Sequence, residues 1–283
     1  MDPRPSGQLA PNTIRVIFAN LSAILQAAVD DGVIGRNPCR AGSVKPPAPD
    51  RRRVVPWTVE QVAAVAECLP DRYAALVAVG AGCGLRQGEL FGLAVDDVDW
   101  LRGVVHVRRQ IKILSARLVF ALPKGGRQRD VPLAEQVALR LAVHLQAWPA
   151  VEVTLPGLPS GRPETARLLF TTRERTALAR TYANRHIWRP ALETAGMATS
   201  RDNGMHALRH HFASVLLEGG VSVKALAEYL GHSDPGFTLR IYTHLMPASE
   251  DRARQVVDRA LTSAVDDGAG APDVPRGRRQ DAF

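Results

Sequence analysis

Residues 205–244 contain Met205-His206-Ala207-Leu208-Arg209-His210-His211, then Leu230-Gly231-His232, then Ile241-Tyr242-Thr243-His244. Read as a helix, the first piece puts His206 and Arg209 three residues apart on one face, where both reach a single anion. Upstream, Cys83-Gly84-Leu85-Arg86-Gln87-Gly88-Glu89-Leu90 sets an arginine just after a glycine turn, at the start of another helix. A helix N-terminus and a guanidinium together favour bound phosphate. Between these pieces, Lys124-Gly125-Gly126-Arg127 has the composition of a turn joining two strands.

Outward from these motifs the hydrophobic period gives the elements. From Asn12 to about Val29, Ile14, Ile17, Leu21, Ile24, Leu25 and Ala28 recur at helical spacing, with Asn12 or Thr13 as the expected cap. Lys45-Pro46-Pro47-Ala48-Pro49-Asp50-Arg51-Arg52-Arg53 is proline-rich, then basic, and reads as an extended linker. Thr58 and Gln61 predict a capping box. A further helix runs from about Asp71 into Gly80-Ala81-Gly82-Cys83-Gly84, and another begins near Arg86. Residues 103–132 change period: Val105, Val107 and Arg109 alternate with His106 and Arg108, and Arg117–Leu122 and Arg129–Leu133 continue as strands. Helices are predicted at Leu133–Trp148, Asn184–Met197, Met205–Glu218, Ser222–Leu230 and Ala248–Val265, while Pro149–Arg167 shows neither period and reads as a surface loop. The fold class expected is mostly α with one small antiparallel β-sheet (α+β). Its parts are a partial helical region at 1–45, a linker at 46–56, the main domain at 57–265 and a disordered tail at 266–283.

Composition narrows the function. The 283 residues are 46% hydrophobic, enough for a substantial core, and carry a formal charge of +8, which favours a polyanion partner. An uninterrupted apolar run of about 18 residues is lacking, so no membrane span is expected. Met1-Asp2-Pro3-Arg4-Pro5 lacks the apolar stretch of a signal peptide. Cys39, Cys68 and Cys83 form no CxxC pair, which argues against a disulfide framework or a cysteine-built zinc site and for a reducing cytoplasm. Gly80-x-Gly82-x-Gly84 follows a helix and lacks Gly-Lys-Ser/Thr, so it is no nucleotide loop. His206 and His210 are four apart, but no acidic residue lies between them and the cysteines are remote, which weighs against zinc. Only Lys45, Lys112, Lys124 and Lys224 are lysines, so a lysine-dependent step has few places to sit.

Taken together, Gly84–Leu90, Lys124, His206-Ala207-Leu208-Arg209, Leu230-Gly231-His232 and Tyr242 resemble the tyrosine recombinase (phage integrase) family. Order and approximate spacing agree from Trp57 to about Arg259. The resemblance implies a catalytic domain that cuts and rejoins DNA strands through a 3′-phosphotyrosyl intermediate on Tyr242, with no metal or nucleotide cofactor. It implies double-stranded DNA at specific recombination sites as the partner, self-assembly into a synaptic tetramer on that DNA, and no membrane. Asn12–Pro47 resembles the last part of the family's helical core-binding domain, and the missing earlier helices lead to the expectation of an incomplete DNA clamp. Two other functions share these features: DNA relaxation of the type IB topoisomerase kind, and DNA binding by a protein that has lost recombination.

The residue types fit the chemistry on their own account. A phosphodiester under attack gathers charge on its non-bridging oxygens, and Arg86 and Arg209 offer forked donors to them. A phenol of ordinary pKa near 10 costs about 4 kcal/mol to ionise at pH 7, so Tyr242 needs a partner. His206 is the candidate to accept or share that proton, and His232 to donate to a phosphate oxygen. Lys124 is the candidate acid for the leaving 5′-oxygen, with Lys112, in mid-strand, as its rival. Glu89, three residues after Arg86, is placed to orient that arginine.

Overall fold

The structure is a computed structural model that describes residues 9–49, 53–245, 254, 257 and 258. It divides into two compact units, Met1–Arg53 and Val54–Phe283. Arg51, Arg52, the expected tail at 266–283 and most of the expected helix Ala248–Val265 lie outside the described residues.

The first unit is built on α1 (Pro11–Asp30). The helix starts earlier than expected: Pro11 occupies the first turn, where a proline loses no hydrogen bond, and the cap position falls on Ala10 instead of Asn12 or Thr13. The chain then returns, because Asn37 donates to the Ser22 carbonyl at 2.9 Å and Arg15 donates to the Pro47 carbonyl at 2.9 Å. The expectation that no segment is long and apolar enough to cross a membrane is corrected here. α1 meets that measure by length and composition alone, with a mean hydropathy of 1.3. Its apolar residues are interrupted by Arg15, Asn20, Ser22 and Gln26, so the helix is apolar on average without an unbroken apolar run.

In the second unit, α2 (Val59–Cys68) opens with the predicted capping box between Thr58 and Gln61. α3 (Asp71–Cys83) buries Leu76, Val77, Val79 and Cys83 and ends at Gly84, whose φ of 61° is left-handed. α4 (Gln87–Phe91) follows directly. Five strands come next: β1 (Val98–Asp99), β2 (Val104–Val107), β3 (Gln110–Leu114), β4 (Arg117–Ala121) and β5 (Arg129–Pro132). They form a three-stranded sheet in the order β1-β2-β5 and a separate β3–β4 hairpin, all antiparallel. The Lys124 turn therefore crosses from one sheet to the other and is not the tip of a hairpin. The true tip is Ser115-Ala116, both with positive φ.

α5 (Glu135–Ala147) leads to β6 (Val151–Pro156) and β7 (Pro163–Leu168), a third antiparallel pair. Pro149–Arg167 is thus mostly hairpin and not a loop. Val151 and Val153 point inward while Glu152 and Thr154 face out, and the prolines that obscure this alternation sit at the strand ends, where no ladder bond is lost. Three small sheets replace the one expected. α6 (Arg180–Ala183), a π-helical turn at Asn184–Trp188 and α7 (Arg189–Thr194) make up the helix predicted at Asn184–Met197. α8 (His206–Glu218), α9 (Val223–Leu230) capped by Ser222, and α10 (Pro235–Tyr242) capped by Asp234 complete the described fold. α10 was hidden in the sequence by Pro235-Gly236, which sit in its first turn, where proline is tolerated.

α3 packs on α5 and α8 at the centre of the core. Trp57 stacks on Trp188 with ring centroids 5.8 Å apart, and Asn203 accepts from both indoles, through Oδ1 and its carbonyl. The His211 ring donates to the Trp57 carbonyl at 2.8 Å, tying the start of the unit to α8. At Gly84 a side chain is excluded twice over, by its φ and by Phe212, whose Cδ1 would lie 2.3 Å from an added Cβ. Gly84→Ala should therefore lower stability by about 2–4 kcal/mol. Urea unfolding will show this as a lower midpoint at unchanged slope, and an unaltered midpoint would refute the packing argument.

Candidate active site

The second unit holds a cleft of about 410 Å³ where Arg86, Lys124, His206, Arg209 and His232 meet, with Phe237 at its edge. Four separate segments supply the five polar residues, His206 and Arg209 both coming from α8, so the cleft exists only in the folded chain.

Arg86 sits at the N-cap of α4. Its backbone N–H donates to Glu89 Oε2 and its Nη1 to Glu89 Oε1, both at 2.9 Å. Glu89 is 1% exposed and also receives both Nη groups of Arg129, at 3.0 and 2.7 Å. Burial alone would raise its pKa, but Arg129 and then Arg86 outweigh that and hold it at about 2.

Arg209, 1% exposed on α8, donates Nη1 to the Gly84 carbonyl at 2.8 Å and Nη2 to the Leu230 carbonyl and to His232 Nε2, the last at 3.0 Å. Burial, then the field of Arg86, draws it down to about 9, so it remains a cation at neutral pH. A guanidinium only donates, which makes His232 Nε2 an acceptor and puts the ring proton on Nδ1, facing Thr238 Oγ1 at 2.6 Å. In this state His232 does not offer the phosphate donor expected of it, because that nitrogen is occupied by Arg209. Burial and then Arg209, Arg86, Arg129 and Lys124 lower its pKa to about 4.

His206 opens onto the cleft. Partial burial, then His210, Arg209, Arg86 and His232, lower its pKa. Its ring meets His210 edge-on at 4.7 Å. The Tyr242 hydroxyl is bonded to His210 Nδ1 at 2.8 Å, and not to His206, the partner expected from the sequence. The geometric reason is that His210, one helical turn beyond His206, faces α10 rather than the cleft. Tyr242 is 2% exposed and stands behind the cleft wall, where burial pushes its pKa to about 12 although Arg209 and Arg86 pull the other way.

Arg86, Lys124, His206, Arg209 and His232 are thus brought together, with Glu89 beneath them and Tyr242 one layer behind. Lys112 lies on the exposed face of β3 opposite Val119, off the cleft lining. Sequence reasoning missed Arg129 and His210. The available signals were the position of Arg129 directly after the basic turn that carries Lys124, and of His210 directly after Arg209.

Residues 57–249 match the phage integrase family. A tyrosine recombinase XerC-like protein of Caldanaerobacter subterraneus subsp. tengcongensis is 29% identical over 266 residues, covering 87% of this chain and 66% of the relative. Tyrosine recombinase XerD of Corynebacterium glutamicum is 31% identical over 228 residues, 76% of this chain and 64% of that protein. The chain spans slightly less than two thirds of the length of these relatives. The solved structure of the Tn1549 transposon integrase with a circular intermediate DNA superposes with a TM-score of 0.70 at 23% identity, over 89% of this chain and 80% of that one, and shares its fold.

The three histidines at and behind the cleft make stability depend on pH. His206, His210 and His232 all have pKa values below the unfolded value of 6.5, the last two at about 4. Below pH 6.5 the unfolded chain therefore binds more protons than the native one, so stability is complete above that pH and falls toward pH 4. The urea midpoint should drop steadily across this window, and less steeply in His210→Asn. A midpoint flat between pH 7 and 4 would mean that these rings titrate as free histidines.

Proposed function

Because the chain belongs to the phage integrase family, we propose that it is a site-specific DNA recombinase that cuts and rejoins DNA strands through a phosphotyrosyl bond to Tyr242. The observation that carries this reading is the convergence of Arg86 and Arg209 on one cleft, beside Lys124 and His206, with a phenol bonded one layer behind it.

The chemistry follows from those positions. The Tyr242 oxygen attacks phosphorus, a bond to the 3′-phosphate forms, and the bond to the 5′-oxygen breaks. Arg86 and Arg209 donate to the non-bridging oxygens as charge builds, each such preorganised donor contributing roughly 2.7–4 kcal/mol. Lys124 protonates the departing 5′-oxygen, and His206, neutral and open to the cleft, accepts the tyrosine proton. Rejoining reverses these steps with the 5′-hydroxyl of another strand. One phosphodiester is exchanged for another, so no external energy source is needed. The hydroxyl must first leave His210, and α10 is the element that carries it.

Double-stranded DNA at specific sites, assembly into a tetramer on that DNA, a cytoplasmic location and a place in a mobile genetic element belong to the same proposal. The charge of +8 and the names of the XerC-like and XerD relatives support it. Type IB-like relaxation uses similar groups without strand exchange, and the relatives' names favour recombination.

Nicked suicide duplexes drawn from the DNA flanking the chain's own gene should trap a covalent protein–DNA adduct. Tyr242→Phe should abolish it, while Arg86→Ala and Arg209→Ala should slow it by about 10²–10³-fold. An adduct that persists in Tyr242→Phe puts the nucleophile elsewhere. Relaxation of a plasmid without exchange between paired sites would favour the topoisomerase-like activity.

A further inference from the structure

Three consecutive carbonyls at the end of α9 each accept from a different arginine. The Tyr229 carbonyl takes Arg129 Nε–H at 2.6 Å, the Leu230 carbonyl takes Arg209 Nη2, and the Gly231 carbonyl takes Arg86 Nη2 at 3.3 Å. Carbonyls at a helix C-terminus have no intrahelical partner and carry the negative end of the dipole, so cations gather there favourably. Gly231 makes the crowding possible. Its φ of 63° turns the chain, and an added Cβ would lie 3.0 Å from Arg129 Cδ.

Arg86 and Arg209 line the cleft, whereas Arg129 does not. The Arg129 side chain is 7% exposed, and its whole donor fork is turned inward, on Glu89 and Tyr229. Glu89 receives four hydrogen bonds, two from Arg129 and two from Arg86, which fills the lone-pair sites of a carboxylate. A guanidinium alone beside a buried carboxylate pairs with it fork to fork. Here Arg129 occupies that geometry, and the Arg86 side chain touches Glu89 through Nη1 only. With Nη1 on Glu89 and Nη2 on the Gly231 carbonyl, Arg86 keeps Nε–H and the second hydrogen of each Nη for a ligand in the cleft. Arg129 also opens β5, directly after the Lys124 turn, so the same contact anchors that turn.

We propose that Arg129 is a positioning residue: by holding the fork face of Glu89 and the Tyr229 carbonyl, it keeps the Arg86 guanidinium turned toward a phosphoryl group in the cleft. The inference rests on the reading of the cleft as a phosphoryl-transfer site.

The test uses the full chain with Arg129→Gln, Arg129→Lys, and Arg129→Gln combined with Glu89→Gln. On a suicide duplex cleaved by the unaltered chain, Arg129→Gln should slow adduct formation by about 10–10²-fold, with DNA affinity nearly unchanged. Arg129→Lys should recover part of the rate, because an ammonium keeps the charge but reaches only one carboxylate oxygen. If Arg129 acts through Glu89, the double variant is no slower than Arg129→Gln alone. Losses that multiply would overturn the proposal.

A second readout is independent of cleavage. Inorganic phosphate binding, followed by NMR of the arginine Nε–H groups, should weaken in Arg129→Gln and not in Arg102→Gln, a control at a side chain 82% exposed. If the unaltered chain forms no adduct but phosphate binding falls in Arg129→Gln, the recombinase reading fails and the positioning role stands. If folded Arg129→Gln binds phosphate and cleaves normally, the positioning role is wrong. Should Arg129→Gln not fold, Arg129→Lys decides: an intermediate rate and phosphate affinity support the role, and unaltered values of both refute it.

Discussion

A single buried carboxylate organises the second unit. Glu89 is sealed from solvent between two guanidinium groups, and removing one partner of such a pair typically costs about 3–5 kcal/mol because the other charge is stranded. Its partners come from the start of α4 and the start of β5, elements far apart in sequence. Arg209, from α8, shares the same helix end. Four parts of the chain are therefore pinned at one place by charge, where packing alone would permit small shifts. The cleft inherits that rigidity. Donors aimed at a phosphoryl group stabilise a transition state only if they need not reorganise when charge appears.

The same cluster explains why positive charges crowd here at all. Arg86, Arg129 and Arg209 repel one another, and a lone carboxylate does not balance three cations. The carbonyls of Tyr229, Leu230 and Gly231 supply the rest, as partial charges fixed in place by α9. A shorter or frayed α9 would leave the arginines to separate. The Ser222 cap at the far end of the helix, remote from any chemistry, therefore bears on the site, because it helps hold α9 helical up to the turn at Gly231.

Much of this was legible beforehand, and the misses have physical causes. Local signals read well: the Thr58–Gln61 capping box, the glycine that closes α3, and the alternation of β2 each depend on neighbours within a few residues. The β6–β7 hairpin escaped because prolines break the pattern at its ends, and α10 because Pro235-Gly236 resembles a stop when it is a start. Which strand pairs with which is not readable, so the composition of the Lys124 turn does not show that the two strands it joins belong to different sheets. The residues that line the cleft were recognisable from their motifs, but Arg129 behind them was not. In Arg127-Gln128-Arg129 nothing local separates the exposed arginine from the buried one, since the contacts to Glu89 and Tyr229 span 40 and 100 residues. Choosing between His206 and His210 for Tyr242 likewise needed the position of α10.

The hydrogen bonds of His232 have a consequence for how the cleft meets its environment. With Nε2 accepting from Arg209 and Nδ1 facing Thr238, the ring has no vacant lone pair on which to take up a proton without breaking a contact. His210 is likewise held near 4 and Glu89 near 2. Across the range of acidity a cell experiences, these groups keep one charge state. The part of the cleft's charge that these groups set is thus steady over that range, while salt shortens its reach into solution.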